Sequence, residues 1–380
     1  LAVTGIRSEY FILQPILDEI MKRDDLQLKL VVTGTHLSPT YGSTYKIIEN
    51  DPYDIIKLET LLSSDSLSGR SKSIGIQIMG LTDVVLREKP DWLLVLGDRE
   101  ESISTALVGT YMNIPIAHVC GGDRVVGNID DSIRHAVTKL AHLHFPTTKE
   151  NGERILKMGE EAWRIHVTGN PALDSIRKQP DLSYKYINEK LNTSLSAEKP
   201  FILLIKHPLS SEIEEAGEQM RITLEAVSEL GLDTIITYPN SDAGSYDMIK
   251  IIDEFTKKYN FINAYKTLPR DVFVNLQRKA ALLLGNSSAG ILEAPFLKLP
   301  VVNIGNRQKQ RQHADNILYV PHNKELIKEA IRKAVNDENF KETCKNCSNP
   351  YGDGYSGERI AQIIAETEIN KELLNKQIVY

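Results

Sequence analysis

The stretch that decides the fold is LLLGNSSAGILEAPFLKLPVVNIG, which runs from Leu282 to Gly305. An apolar run of strand character leads into a small polar turn at Asn286, Ser287 and Ser288, a helical pattern follows, and LPVVNIG forms a second apolar run. Continuous apolar runs separated by helix-length segments are typical of parallel strands whose sheet is covered by helices on both faces. The stretch therefore predicts one strand–helix–strand unit of a parallel sheet.

The same alternation extends over most of the chain. Apolar runs of strand character occur at 28–34, 92–98, 114–122, 201–207, 233–239, 280–286 and 299–305. Because 380 residues exceed the size at which one core usually stops growing, we expect two domains. We predict an α/β protein with two doubly wound, Rossmann-like domains that face each other across a cleft.

The domain boundary is expected where polar residues, Ser, Asn, Lys and Pro, replace the apolar periodicity, between 168–176 and 190–200. We therefore assign 1–178 to the first domain, which we expect to be the catalytic one, and 179–355 to a second domain. A last helix within 356–380, near 357–375, is expected to pack back onto the first domain.

Composition and charge restrict the class of protein. Hydrophobic residues make up 41% of the chain and charged residues 25%, which argues against disorder, collagen and disulfide scaffolds. The net charge is −6 and no long Lys/Arg run occurs, so we predict no nucleic-acid partner. Without an apolar run of about 18 residues or a leader pattern, we expect no membrane association and a cytoplasmic location.

The chain has three cysteines, which suits a reducing compartment. Cys344 and Cys347 have the spacing of half a zinc site, but no second Cys/His pair at ligand spacing accompanies them, so we predict no metal site. The chain contains neither GxGxxG nor GxxxxGK[ST], which excludes a dinucleotide fingerprint and a P-loop.

Ionisable residues follow the strands of the first half, where ligands of parallel sheets gather. Asp98 and Asp123 follow two strands, and Asp130, Asp131 and Arg134 stand at the head of a helix. An aspartate could simply cap this helix and pair with Arg134. The number of ionisable groups exceeds what capping requires, and this favours a functional site.

Polar residues also follow strands of the second half, among them His207, Asn240 and the turn at 285–288. A small turn that runs into a helix can present backbone N–H groups and hydroxyls to a phosphate. We place Glu293 inside that helix, where its two oxygens could bind a ribose diol. The alternative is that Ser287 and Ser288 only cap the helix.

Several motifs together resemble those of the hydrolysing UDP-N-acetylglucosamine 2-epimerases of the sialic-acid and legionaminic-acid pathway type. The matching motifs, in order, are GIRSEY, VTGTHL, GDR, GGD, IDDSIRHAVTKLAH, KHP, YPNSDAGS, GNSSAGILEAP and YGDG. The resemblance covers almost the whole chain. It implies a GT-B-like pair of Rossmann domains, with the active site in the cleft, and a homodimer or dimer of dimers.

The resemblance implies that UDP leaves UDP-N-acetylglucosamine by anti elimination and that water then adds to 2-acetamidoglucal, giving N-acetylmannosamine. No cofactor is implied. Alternatives are the same reaction on UDP-N,N'-diacetylbacillosamine, a non-hydrolysing epimerase, a glycosyltransferase, and a nucleotide-sugar-binding protein without turnover.

The resemblance also implies residue roles, which we take over position by position. The catalytic group comprises Asp98, Asp123, Asp130, Asp131 and Arg134. The substrate-binding group comprises Arg7, His207, Ser287 and Ser288 at the diphosphate, Glu293 at the ribose, and also Asn240, Asn286 and Arg307.

One position departs from the family pattern. Relatives often carry an acid or a histidine before the glycine pair, where this chain has Cys120. A thiol, whose ordinary pKa is about 8.5, is a poor substitute for a carboxylate base. Either the acid–base chemistry rests on Asp98 and Asp131, with help from Asp123, or the substrate differs; we favour the first interpretation.

Overall fold

The structure of the protein is a computed structural model that describes residues 1–62, 66–124, 129–209, 211–239, 244–309 and 311–379. The chain divides into two compact units. Unit 1 comprises Leu1–Arg177 and Tyr351–Tyr380, and unit 2 comprises Lys178–Pro350. Unit 1 is thus built from both ends of this sequence, and unit 2 from its middle.

Unit 1 contains a six-stranded sheet in which all pairs are parallel. Its strands are β1 (Ala2–Thr4), β2 (Lys29–Thr33), β3 (Asp54–Leu58), β4 (Leu93–Leu96), β5 (Ile116–Val119) and β6 (Leu143–Phe145). The helices before the crossing to unit 2 are α1 (Arg7–Met21), α2 (Tyr45–Ile48), α3 (Leu67–Glu88), α4 (Glu100–Tyr111), α5 (Ile129–Leu140), α6 (Lys149–Lys157) and α7 (Ala172–Lys178).

Unit 2 contains a second six-stranded parallel sheet. Its strands are β7 (Phe201–Ile205), β8 (Asp233–Thr237), β9 (Ile262–Tyr265), β10 (Leu282–Gly285), β11 (Val301–Ile304) and β12 (Ile317–Val320). Its helices are α8 (Tyr184–Leu191), α9 (Ala216–Leu230), α10 (Ser245–Lys258), α11 (Arg270–Lys279), α12 (Ala289–Leu292), α13 (Lys324–Asn336) and α14 (Glu338–Asn346).

Both sheets have the same strand order, and it is the doubly wound order. The first sheet runs β3-β2-β1-β4-β5-β6, and the second runs β9-β8-β7-β10-β11-β12 when read from the corresponding edge. Apolar clusters cover both faces of each sheet. The predicted pair of Rossmann-like α/β domains is therefore confirmed.

This strand order indicates where ligands bind in each unit. The chain direction across the sheet reverses between β1 and β4 in unit 1, and between β7 and β10 in unit 2. A crevice opens at such a reversal, outside the carboxyl ends of the two strands. A ligand-binding site is therefore expected at the segments that follow these four strands.

The last segment of the chain packs on unit 1 and holds two helices, α15 (Ser356–Glu366) and α16 (Lys371–Leu374), where the sequence predicted one. The break is physical, because the Asn370 side chain accepts a hydrogen bond from the Leu373 N–H at 2.9 Å and starts a new helix. Helix α15 packs against α1, where a side chain at Gly357 would collide with the carbonyl of Pro15.

The start of α15 is held by a buried carboxylate from another part of unit 1. Asp174 accepts hydrogen bonds from the N–H groups of Ser356 and Gly357 at 3.1 and 2.8 Å.

Among the helices in the described part of the chain, none combines the length and apolar character needed to cross a bilayer.

Candidate functional site

The carboxyl ends of β4 and β5 bring three predicted catalytic residues together. The buried guanidinium of Arg134, on α5, forms an ion pair with Asp98, which follows β4. Its other terminal nitrogen lies 3.4 Å from the carboxylate of Asp123, which follows β5. The two carboxylates supply the countercharges that a buried guanidinium needs.

Two more predicted catalytic residues lie in the first turn of α5. Asp130 and Asp131 are both partly buried, and the imidazole Nε2 of His135 lies 3.7 Å from a carboxylate oxygen of Asp131. Acidic residues in the first turn are stabilised by the positive end of the helix. The helix therefore presents two carboxylates on the same edge as the Arg134 cluster.

A neutral histidine supports the turn that carries Asp98. His118, on β5, is fully buried and its Nε2 donates to the carbonyl of Gly97 at 2.8 Å. Burial lowers the His118 pKa to about 3, so the ring stays uncharged at neutral pH. This histidine has a structural role that its sequence position did not reveal.

Cys120 also follows β5, and its backbone has a left-handed φ of 60°. Burial raises the pKa of its thiol, and the charges of Asp123 and Glu9 raise it further. The thiol is therefore neutral at physiological pH and cannot accept a proton readily.

Two glutamates that the sequence analysis missed lie at the same edge of unit 1. Glu9 is in the first turn of α1, and Glu101 is buried in α4, 3.4 Å from the Arg99 guanidinium. Burial and the charge of Glu101 raise the pKa of Glu9 to about 8, and burial also raises that of Glu101. The carboxyl of Glu101 fills the space beside Gly5, where any side chain would collide with it.

Arg7 begins α1, directly after β1, and is exposed. Its guanidinium carbon lies 5.5 Å from the centre of the Phe11 ring, a cation–π distance. The side chain is thus oriented by its own helix and remains available for an anionic ligand.

In unit 2, Asn286 joins the segments that follow β7 and β10. Its side chain accepts from the His207 N–H and donates to the His207 carbonyl, both at 2.8 Å. Arg307 donates to the carbonyl of Asn286 at 3.3 Å. The three predicted residues therefore lie together, with Asn286 buried and engaged with the backbone.

The polar turn after β10 leads from Gly285 into α12. Gly285 has a φ of 129°, and a side chain there would collide with the carbonyl of Ile205. Ser288 is the N-cap residue of α12 but makes no side-chain capping bond, while the Ser287 hydroxyl accepts from the Ala289 N–H at 3.3 Å. Because α12 is a short helix, any anion here depends on individual N–H and O–H donors more than on the helix dipole.

Glu293 is the C-cap residue of α12, so its predicted place inside the helix is wrong by one position. The turn ends there because Ala294 N–H bonds back to Ala289 and Pro295 follows. The Glu293 carboxylate accepts from Gln277 Nε2 at 2.7 Å, and an Arg270 nitrogen lies 3.4 Å from both its oxygens. Neither partner was foreseen, because both come from α11.

Two predictions remain, one for Asn240 and one for a metal site. Asn240 lies outside the described residues. No group of three His, Cys, Asp or Glu side chains in the described ranges could hold a metal ion.

Comparison with known proteins agrees with this geometry. The model of the UDP-N-acetylglucosamine 2-epimerase family matches residues 18–365. The chain is 33% identical over 379 residues to the hydrolysing UDP-N,N'-diacetylbacillosamine 2-epimerase of Legionella pneumophila, covering 100% of this chain and 98% of that protein. It is 30% identical to the UDP-N-acetylglucosamine 2-epimerase of Neisseria meningitidis, over 97% of this chain and 95% of the relative.

A solved structure shows the same fold. The crystal structure of a UDP-GlcNAc 2-epimerase from Neisseria meningitidis bound to UDP-GlcNAc matches with a TM-score of 0.79 and 21% identity, covering 96% of this chain and 99% of that one. The family model and the two relatives confirm the family that the motifs indicated: the chain belongs to the UDP-N-acetylglucosamine 2-epimerase family.

Proposed function

We propose that the protein is a hydrolysing epimerase, which releases UDP from a UDP-N-acetyl sugar and inverts the configuration at C2 of the sugar. The observation that carries the proposal is the pair of polar clusters, one at the strand-order reversal of each sheet. Unit 1 supplies ionisable groups around Arg134, and unit 2 supplies N–H and O–H donors followed by a carboxylate.

Unit 2 would bind the nucleotide. The hydroxyls of Ser287 and Ser288 and the N–H groups of their turn are suited to a diphosphate, and His207 would add a further donor group. The carboxylate of Glu293, held by Gln277 and Arg270, is suited to the two hydroxyls of a ribose.

Unit 1 would supply the acid–base groups. Elimination of UDP requires a base for the proton on C2, and the carboxylates of Asp98 and Asp131 are candidates for this role. Arg134 would hold Asp98 in place. Because the Cys120 thiol is neutral, we assign it no role in proton transfer.

Two substrates are candidates, and similarity supports each of them. UDP-N-acetylglucosamine is the substrate that the motif pattern favours, and the Neisseria relative is named for it. The diacetamido sugar UDP-N,N'-diacetylbacillosamine is favoured by the Legionella relative, which matches the whole chain.

Product analysis tests the proposal. The protein is incubated with each UDP-sugar in turn, and free UDP and the free sugar are identified. Release of UDP with a C2-inverted free sugar supports the proposal and selects the substrate. A product that retains its UDP would mean a non-hydrolysing epimerase, and a strict need for an acceptor would mean a glycosyltransferase. UDP binding without exchange of the C2 proton in deuterated water would mean a binding protein.

A further inference from the structure

Glu9 occupies a position that the proposed chemistry has not used. It lies in the first turn of α1, directly beyond the carboxyl end of β1. Its Oε1 atom lies 3.6 Å from the position that a side-chain Cβ on Gly97 would take. Since Asp98 follows Gly97, the Glu9 carboxyl lies beside the turn that carries Asp98, at the strand-order reversal of unit 1.

The Glu9 carboxyl differs from the carboxylates around it in its contacts. Asp98 and Asp123 pair with Arg134, Glu100 pairs with Arg70, and Glu101 lies close to Arg99. Among the described residues, Glu9 has neither a hydrogen bond nor an ion pair. The Glu9 side chain is partly buried.

The surroundings of Glu9 favour the protonated acid. The charged and titratable groups that face it are Glu100, Glu101 and Arg99 from the α4 side, Arg134 from α5, and the Cys120 thiol after β5. Burial and the negative charge of Glu101 outweigh the two arginines and raise the Glu9 pKa. The carboxyl therefore carries a proton at neutral pH, while the neighbouring Asp98 forms an ion pair with Arg134.

Neighbouring carboxyl groups with opposite protonation states are suited to opposite tasks. The carboxylate form can only accept a proton, as the elimination step requires. The acid form can donate one, as the hydration step requires. The neutral Cys120 thiol holds its proton more tightly than Glu9 and is the weaker donor.

We infer that Glu9 is the proton donor of the hydration step, delivering its proton to C2 of the unsaturated sugar intermediate. The inference rests on the proposed function. In this step the C1–C2 double bond is lost, the Glu9 proton forms the new C2–H bond, and the oxygen of a water molecule forms the new bond to C1. The proton that this water loses restores the Glu9 acid, so that no oxidant or further reactant is needed.

The test is the partition of products in the variant Glu9→Gln. The amide has nearly the same shape but cannot donate an acidic proton. UDP release should continue within a few-fold of the wild-type rate, while hydration slows about 100-fold or more. The unsaturated sugar, 2-acetamidoglucal or its diacetamido counterpart, should therefore accumulate in place of the hydrated sugar. Nuclear magnetic resonance of the reaction mixture measures both.

Two control variants separate this role from a structural one. Glu100→Gln removes a neighbouring carboxylate that is paired with Arg70, and it should leave the ratio of unsaturated to hydrated sugar unchanged. Glu9→Asp keeps an acid and should restore part of the hydration. Glu9→Gln should also melt no lower than the wild type, because it removes a group whose ionisation burial disfavours.

The outcomes decide the inference. Accumulation of the unsaturated sugar in Glu9→Gln, with partial recovery in Glu9→Asp, supports it. A wild-type ratio of products in Glu9→Gln overturns it, and so does a parallel loss of UDP release and sugar formation. A wild-type protein that releases no UDP from either substrate overturns the proposed function itself, which is a different result.

Discussion

Asn286 bonds both backbone polar groups of His207, one as acceptor and one as donor, at 2.8 Å each. A single buried amide thereby ties the segment after β7 to the segment after β10. These are the two strands between which the order of the second sheet reverses. The Asn286 side chain therefore contributes to holding these two segments together.

Asn286→Ala should destabilise unit 2 by about 1–3 kcal/mol, because the His207 N–H and carbonyl lose their partners in a buried place. It should also weaken UDP binding, since His207 is no longer held. Chemical denaturation and calorimetric titration with UDP measure the two effects. Asn346→Ala, in an exposed position of the same unit, is the control and should change neither.

Asp98→Asn and Asp131→Asn should each lower turnover by orders of magnitude while UDP still binds, as expected for groups that act in the transition state. In Asp98→Asn, the new amide would retain a hydrogen bond to Arg134 but could not accept the C2 proton. The exposed Asp83→Asn serves as the control in unit 1. Normal turnover in both variants would remove these aspartates from the mechanism.

Ser288→Ala should weaken UDP binding by about 1–3 kcal/mol, because a hydroxyl bond to a charged phosphate is lost. Arg7→Ala should have an effect of similar size. Ser288 makes no capping bond in its own helix, so folding stability should change little. Ser348→Ala, on the surface of unit 2, is the matched control. Calorimetry that finds wild-type UDP affinity would refute the assignment of Ser288.

Gln277→Leu should affect recognition of the ribose specifically. The Gln277 amide fixes the Glu293 carboxylate at 2.7 Å, and the other contact, from Arg270, is longer at 3.4 Å. Without Gln277, affinity for UDP should fall about tenfold, the equivalent of one hydrogen bond to a charged group. Affinity for 2′-deoxy-UDP, which lacks one of the two hydroxyls, should fall less. Equal losses for both nucleotides would mean a general structural defect.

Stability of unit 1 should depend on pH through Glu160. Burial alone would raise the pKa of this carboxyl, but hydrogen bonds from His144, Lys139 and Lys376 lower it from 4.5 to about 2. The stabilisation is therefore present above pH 4.5 and is lost as the pH falls from 4.5 towards 2. Glu160→Gln should unfold at lower temperature at pH 7 and lose less stability over this acid range. Calorimetric melting curves of both proteins measure this effect. Melting temperatures that fall in parallel over this acid range would contradict the prediction.

The strands that the sequence predicted and those that it missed differ in one physical respect. The apolar runs identified β2, β4, β5, β7, β8, β10 and β11, which lie inside the two sheets. The sequence analysis missed β3, β6, β9 and β12, which are the four edge strands. Three of these are largely half-buried or exposed, and β6 has only three residues. A continuous apolar run indicates a strand that is buried on both faces. An edge strand is either not buried on both faces or too short for such a run to be recognised.

The site shows a similar division. The motifs led to Asp98, Asp123 and Arg134, which the structure brings together. Glu9 lies within the GIRSEY motif but was assigned no role, and Gln277 lies outside the motifs. The importance of these two side chains comes from tertiary neighbours. A glutamate in a first helical turn is ordinary in sequence, and only the fold places it beside Gly97.

The return of the chain to unit 1 has a consequence for synthesis on the ribosome. Residues 178–350 form unit 2 by themselves and can fold as soon as they emerge. Residues 1–177 complete their packing only with the segment from 351 onwards. In that segment α15 covers α1, and Asp174 accepts hydrogen bonds from Ser356 and Gly357. Residues 1–177 should therefore remain the more protease-sensitive part of a nascent chain until the segment from 351 onwards has emerged.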